Sequence, residues 1–379
     1  MATPRSRRTR SRREVLKMAG ALALAAPGLG GLAAACAEGP APSGSTTSGS
    51  APSGLPTQGA GTLSTEEQLT LTASEAVAAI ARGDLTAVAY TTTLLNRAEQ
   101  LADLKTIITL NREGALAAAA RVDDARRAGT ALGPLAGLPI LVKDNINTKD
   151  LPTTAGTPAL RDFRPTSDAA VLQPILAGGA IIRGKANMQE LAFGITNTNF
   201  SPFAGFCENP YDRSRIPGGS SGGTGAGIAA RIVPAGLGSD TGGSVRIPAS
   251  FNGIAGLRPS TGGTRHRYSG EGVFPLSHTL DTVGPMGKSV ADVALLDSVV
   301  TGAPAPTPAT LDGLRIGIPP TLWSGLEGQV DAVVQDAKQR IAGAGAVLVD
   351  ADMPDVLMLA DKVIFPVALH EPIEDIPRT

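Results

Sequence analysis

The chain has 379 residues, of which 42% are apolar and 18% charged, and its formal net charge is −1. That length and composition allow one large buried core, and the near-neutral balance excludes a global electrostatic pull toward nucleic acid. Many of the 46 Gly and 29 Pro fall in the first sixty residues or in short turns between apolar runs, so they punctuate a fold rather than prevent one.

At the N-terminus, Arg5, Arg7, Arg8, Arg10, Arg12, Arg13 and Lys17 precede the uncharged Ala/Gly/Leu stretch from Met18 to Ala35, the order of an export signal. Ser11-Arg12-Arg13-Glu14-Val15-Leu16-Lys17 resembles the twin-arginine type, which makes the twin-arginine export machinery the expected partner of residues 1–36. A basic arm for nucleic acid has no reason to be followed by an uncharged run, and Pro27 with several Gly argues against a permanent membrane span. Cys36 follows Leu32-Ala33-Ala34-Ala35, which resembles a lipobox with its Leu one place too far from the Cys. Lipidation at Cys36 is therefore expected, with the Ser/Gly/Pro-rich residues 37–62 as a flexible tether to the membrane. Cleavage near Ala35 and free secretion is the alternative. Either way the protein is expected to be exported, and only Cys207 remains, so no intrachain disulfide is available.

From Thr62 the pattern becomes α/β. Thr72-Ala73-Ser74-Glu75 reads as a capping box opening a helix that ends before Gly83, and a second helical run covers Thr86 to Leu104. Buried strands are expected at Thr106 to Leu110, Leu138 to Val142, Ala180 to Ile182, Ile232 to Leu237, Leu314 to Ile318 and Val347 to Val349. Helices are expected at Arg112 to Ala128, Asp168 to Ala177, Gly225 to Arg231, Val290 to Val300 and Gln329 to Ala342. The alternation implies one domain with a single mixed or largely parallel sheet covered by helices on both faces.

Chemistry concentrates in two clusters of Gly around Ser. Pro217-Gly218-Gly219-Ser220-Ser221-Gly222-Gly223 is followed by Gly238-Ser239-Asp240-Thr241-Gly242-Gly243-Ser244-Val245-Arg246-Ile247-Pro248. A helix and a strand are expected between them, so they are not linkers. The N–H groups of Thr241, Gly242, Gly243 and Ser244 form a candidate nest ahead of a short helix, converging on one anionic oxygen. Such a nest serves as an oxyanion hole, where losing one donor costs about 3 kcal/mol of transition-state stabilisation. Ser244, at its helix end, is the candidate nucleophile. His266, His278 and His370 are the only histidines, and none lies in a comparable cluster. Lys143, closing the apolar run Leu138-Pro139-Ile140-Leu141-Val142, is the alternative base, because burial at a strand end lowers a lysine's pKa.

These stretches, with Gly253-Ile254-Ala255-Gly256-Leu257-Arg258-Pro259, Leu141-Val142-Lys143-Asp144-Asn145 and Asn209-Pro210-Tyr211-Asp212-Arg213-Ser214, resemble the amidase signature family from Leu71 to about Asp350. The resemblance implies the α/β amidase signature fold over residues 63–379. It makes Ser244 the acylating nucleophile, Ser220 a bridging serine in a cis peptide after Gly219, and Lys143 the base that relays through it. Ser221, Asp240, Arg246 and Gly219 are implied to support the relay and the Gly turn. The implied reaction is hydrolysis of a small-molecule carboxamide, with esters as further candidates, through an acyl-enzyme with no metal and no organic cofactor. A glutaminase like the corresponding glutamyl-tRNA amidotransferase subunit shares this signature, and a catalytically inactive, lipid-anchored binding protein of the same fold is the rival from another class.

Other motifs fail on context. Gly218-Gly219-Ser220-Ser221-Gly222 satisfies G-x-S-x-G, but the charged, proline-ended segment before it is no buried strand. Gly179 to Lys185 approaches a P-loop, but Ala186 stands where Ser or Thr would bind magnesium, and Gly178-Gly179 reads as a helix C-terminus. Cys207 reads as an incidental or buried thiol. The pocket is expected to draw on Thr196 to Phe206 and His266 to His278. Family members continue beyond the position of Thr379, so the sequence is expected to be a truncated member with apolar surface uncovered. Substrate identity and oligomeric state are not legible.

Overall fold

The computed structural model describes residues 63–261 and 267–378. The expected export signal, Cys36, the tether and His266 lie outside the described residues.

The first helices form where their caps are written. Thr72 Oγ1 accepts from Glu75 N at 3.2 Å while the Glu75 carboxylate accepts from Thr72 N at 2.8 Å, opening the helix Ala73–Arg82. Gly83 ends that helix at φ +86°, a left-handed conformation that favours glycine. The next helix, Ala87–Gln100, carries a second acceptor from far along the chain. Asp123, in the helix Arg112–Arg127, accepts from Ala87 N at 2.8 Å and Val88 N at 3.0 Å. Two N–H groups that the first turn leaves unpaired are thereby satisfied by a buried carboxylate.

The central sheet has six strands among the described residues, in the order β1-β3-β2-β4-β6-β5. They are β1 Ile107–Leu110, β2 Pro139–Lys143, β3 Ile181–Ala186, β4 Ala235–Asp240, β5 Ala255–Gly256 and β6 Thr282–Gly287. β2 runs parallel to both β3 and β4, while β1, β6 and β5 pair antiparallel with their neighbours. The mixed sheet flanked by helices agrees with the fold expected from the sequence. β2 and β4 are buried along their whole length, as central strands with both faces covered must be. The core packs Leu138, Ile140, Val142, Ala235 and Leu237 of this centre against Ile80, Leu85, Tyr90 and Leu94 of the first helices.

Two expectations need correction. The runs at 314–318 and 347–349 do not join this sheet; they become β7 Arg315–Ile318 and β8 Val347–Asp350, a separate parallel pair. β6 has no counterpart among the expected strands, because Gly284, Pro285 and Gly287 interrupt the strand pattern. Gly178 and Gly179 do follow a helix, Leu172–Ala177, and lead into β3, so the phosphate-cradling order is absent there.

Replacing Asp123 by Ala is expected to lower stability by about 2 kcal/mol, since it orphans two buried helix N–H groups. Asp123→Asn, which keeps one acceptor, is expected to cost less than half of that. Urea unfolding followed by circular dichroism measures both, and equal stability of all three proteins contradicts the capping role.

Candidate active site

The site forms where β2 and β4 end side by side. Their parallel register places Val142 beside Leu237, so Lys143 leaves β2 next to Gly238, Ser239 and Asp240. Ligands of α/β sheets sit beyond such carboxyl ends. Close approach here depends on glycine: a Cβ added to Gly238 would lie 2.7 Å from Ser221 Oγ and 3.0 Å from Met286 Sδ. Ser221 in turn opens the glycine-rich helix Gly222–Ala229, which packs on β2 and β4.

Lys143 is fully buried, and its Nζ lies 2.7 Å from Ser220 Oγ, 2.8 Å from Ser239 Oγ and 3.2 Å from Ser239 O. Burial pushes the Lys143 amine down to about 7, against the opposing pull of the Asp240 and Asp281 carboxylates. An amine with that pKa is neutral for a substantial fraction of the protein near pH 7, as a proton acceptor must be. Ser220 is also fully buried, its peptide bond with Gly219 is cis, and its carbonyl accepts from Gln189 N at 3.0 Å. The two serine clusters meet directly, because Ser221 N donates to Ser244 O at 3.2 Å. Ser244 itself is 6% exposed. The structure thus brings Lys143, Ser220 and Ser244 into one neighbourhood from three distant stretches of chain.

Asp240 organises the turn before Ser244. Its carboxylate accepts from Gly243 N at 2.8 Å and Val245 N at 3.1 Å, and Arg246 grips it with Nε at 3.1 Å and Nη2 at 3.0 Å. Burial alone would raise its pKa, but these donors and the nearby Arg246 and Arg258 charges outweigh it and hold the carboxyl below the usual range. Gly243 therefore departs from the expected nest: its N–H is spent on Asp240, not available to a ligand oxygen. The bonds that hold the turn leave the N–H groups of Thr241, Gly242 and Ser244. Ser221 Oγ and Ser239 brace each other, the hydroxyl donating to Ser239 O at 3.1 Å and accepting from Ser239 N at 3.2 Å.

Several side chains at the site carry no role on sequence grounds alone. Ser239 Oγ accepts from Lys143 and also from Asn145 Nδ2, at 3.0 Å. Arg258 Nη1 donates to the Asp240 carbonyl and lies 3.0 Å from Asp240 Oδ1. Asp281 accepts from Thr241 Oγ1, Leu276 N and Ser277 N, tying the turn to the loop before β6. Asn145 and Arg258 lie inside the signature motifs, so position in those motifs is the available signal; Asp281 has none. Of the other residues considered, Cys207 is buried with its thiol pKa raised by burial, and His278 faces Glu371 and Asp375 on the surface. Those two carboxylates are already engaged by Ser277, Thr279 and His278 N. His370 sits on an exposed helical run beside Glu374.

One further buried pair flanks Lys143. Asp144 and Lys185 are both fully buried, 3.3 Å apart, and Lys185 Nζ also donates to Ile146 O at 2.9 Å and Thr153 Oγ1 at 2.8 Å. The pair fixes the chain directly after Lys143 against β3. Burial pushes Lys185 down to about 8 and Asp144 up, the direction each group takes when its charge is desolvated.

Comparison with known proteins identifies the family. A family model described as Amidase matches residues 89–376, and the chain belongs to that family. It is similar to mandelamide hydrolase from Pseudomonas putida, 41% identical over 305 residues that make up 79% of this chain and 59% of that protein. It is also similar to a glutamyl-tRNA(Gln) amidotransferase subunit from Chloroflexus aggregans, 43% identical over 301 residues, 75% of this chain and 60% of that protein. Among solved structures, native peptide amidase from Stenotrophomonas maltophilia superposes with a TM-score of 0.72 at 32% identity, covering 82% of this chain and 67% of that one. The chain spans about three fifths of the length of the curated relatives it matches.

Lys185→Met is expected to lower stability by about 3–5 kcal/mol, because it strands the Asp144 carboxyl in the interior. Adding Asp144→Asn to that variant is expected to recover part of the loss. Thermal melts of the three proteins decide it: a double variant less stable than the single one contradicts the pairing.

Proposed function

We propose that this chain is an amidase that hydrolyses a carboxamide through a Ser244 acyl-enzyme. The observation that carries the reading is the fully buried Lys143 amine, 2.7 Å from the Ser220 hydroxyl oxygen and pushed by burial to a pKa of about 7.

The Ser244 hydroxyl attacks the amide carbonyl carbon and passes its proton to Ser220 Oγ as the Ser220 proton moves to Lys143 Nζ. The carbonyl π electrons move onto oxygen, where the N–H groups of Thr241, Gly242 and Ser244 meet the developing charge. The C–N bond then breaks, with its electron pair and the relayed proton going to the leaving nitrogen. Water repeats the sequence on the acyl ester, releasing the acid and restoring Ser244. Asp240 supports the turn from below through Gly243 and Val245, with Arg246 and Arg258 balancing its charge.

Loss of the base has a defined cost. Lys143→Met is expected to reduce kcat/KM for amides by about 10²–10⁴-fold. In the parent protein, kcat/KM is expected to rise tenfold per pH unit below about 7 and to level off above it, because only the neutral amine accepts a proton. A fluorophosphonate probe is expected to label the protein, and labelling is expected to vanish in Ser244→Ala. Labelling that survives in Ser244→Ala, or a pH-independent rate from about pH 5 to about pH 9, refutes the relay. The likeness to the amidotransferase subunit favours one second reading, ammonia release from glutamine. Turnover of glutamine with no turnover of other carboxamides is the result that selects it.

For the N-terminal region, we propose export by the twin-arginine route with Cys36 lipidated and residues 37–62 as a tether to the catalytic domain. The basic run ahead of Met18 to Ala35 supports this reading. Mass spectrometry of the protein purified from an exporting bacterium is expected to find a diacylglyceryl-modified Cys36 at the new N-terminus. An intact Met1, or cleavage that leaves Cys36 unmodified, rejects lipidation.

A further inference from the structure

The register of β4 and β6 sets two residues face to face beyond the strand ends. Asp240 pairs with Thr282 in that antiparallel ladder, so the next residue outward is Thr241 on one strand and Asp281 on the other. Thr241 Oγ1 donates to Asp281 Oδ1, and Asp281 Oδ2 accepts from Leu276 N at 2.6 Å and Ser277 N at 2.9 Å. Every one of these contacts presents a donor, so both oxygens act as acceptors, as those of an ionised carboxylate do. The carboxylate thus joins the first residue of the turn that ends at Ser244 to the loop ahead of β6.

Its neighbours among the acidic residues have cations of their own. Asp240 Oδ1 is met by Arg246 Nη2 and Arg258 Nη1, each at 3.0 Å, and Asp144 has Lys185 at 3.3 Å on the side of β3. Arg258 also reaches the corner of Asp281, but there its Nη2 donates to the Leu280 carbonyl at 2.6 Å. The His278 ring is turned to Asp375, with Nδ1 3.0 Å from Oδ2. Among the described residues, no arginine, lysine or histidine makes an ion pair with Asp281.

Lys143 is the cation its field does reach. Asp281, Thr241, Ser239 and Asn145 border one cavity of about 310 Å³, and Ser239 Oγ lies 2.8 Å from Lys143 Nζ. Asp240 and Asp281 are the carboxylates whose charge holds the proton on that amine against burial. In return the Lys143 charge pulls the Asp281 carboxyl down, but burial outweighs it and leaves the carboxyl above its usual range.

Resting on the amidase reading above, we propose that Asp281 is a positioning residue of the relay: it anchors Thr241 and supplies the uncompensated negative charge that stabilises Lys143 once the amine has taken the proton. That proton leaves Ser244 Oγ as the Ser220 proton moves to Lys143 Nζ, and Asp281 neither gives nor takes one. Because Asp240 divides its charge between two arginines, the protonated amine draws more of its support from Asp281. One carboxylate therefore acts on both sides of the reaction, on the donor turn through Thr241 and on the amine through its charge.

The test uses the full chain and two readouts that need no known substrate. Carbon NMR of protein labelled at the lysine Cε follows the titration of Lys143, whose signal is the one missing from Lys143→Met. The rate of labelling by a fluorophosphonate, measured against pH, follows Ser244. Asp281→Asn keeps an acceptor but removes the charge, and is expected to move the Lys143 titration and the acid limb of labelling down together by about one pH unit. Its labelling plateau is expected to fall about 10-fold or more. Asp281→Glu, which restores the charge, is expected to bring the titration back toward that of the parent. Thr241→Val keeps the charge and cuts the anchor; it is expected to lower the plateau about tenfold with the Lys143 titration unmoved, and it serves if Asp281→Asn does not fold. A Lys143 titration unchanged in Asp281→Asn overturns the charge assignment, and a Thr241→Val plateau equal to that of the parent overturns the anchor. Titrations as expected in a parent protein that takes no label leave the tie between Asp281 and Lys143 standing and sink the amidase reading alone.

Discussion

The site depends on keeping one amine out of water. Lys143 Nζ has no exposure and three oxygen neighbours, two of them on Ser239 and one on Ser220. Burial disfavours its charged form, while the carboxylates of Asp240 and Asp281 favour it, and the result sits at about 7. Either influence acting alone would serve the proposed relay poorly: a lysine with a free-water pKa holds its proton at neutral pH, and one with no nearby carboxylate is too weak a base to take it. The position of β2 between β3 and β4 supplies the burial, and the end of β4 supplies both Ser239 and Asp240.

Asp240 does two things with one carboxylate. Its hydrogen bonds to Gly243 and Val245 shape the turn, and its charge acts on Lys143. Because it spends the Gly243 N–H, the donors left for a ligand oxygen are those of Thr241, Gly242 and Ser244, so the geometry of the turn and its donor set are fixed together. Arg246 and Arg258 stand against the same carboxylate. They keep it ionised in a buried place and also dilute the negative field reaching Lys143. A substitution at either arginine is thus felt both at the turn and at Lys143.

How much of this is legible in the sequence follows from how local each signal is. The helix at Ala73–Arg82 is readable because Thr72 and Glu75 cap it within four residues, and β2 because Leu138 to Val142 is an uninterrupted apolar run. β6 is not, since Gly284, Pro285 and Gly287 look like a turn and are held extended by pairing with β4 and β5. The partner of an apolar run is also invisible in that run: β7 and β8 read as buried strands of the one sheet but pair only with each other among the described residues, at partly exposed positions. At the site, the juxtaposition of Lys143 and Ser220 comes from the resemblance of whole motifs, because neither residue alone distinguishes a base from a surface lysine. Ser239 escapes notice although it lies inside the second glycine cluster, for a serine in a buried strand has no pattern of its own until its hydroxyl is seen at 2.8 Å from the amine.

The loop before β6 fastens the two sides of the candidate site together. It is fastened at one side to Asn145 and Asn147, just after Lys143, and at the other to Asp281, which also holds Thr241. Asn145 in turn reaches Ser239 and through it Lys143. Movement of this loop therefore pulls both on Ser239, whose hydroxyl accepts from Lys143, and on Thr241, the first residue of the turn before Ser244. Interiors packed this closely do not deform freely. On the proposed amidase reading, a substrate that strains this loop misaligns the proposed relay, so its penalty falls on kcat as much as on KM.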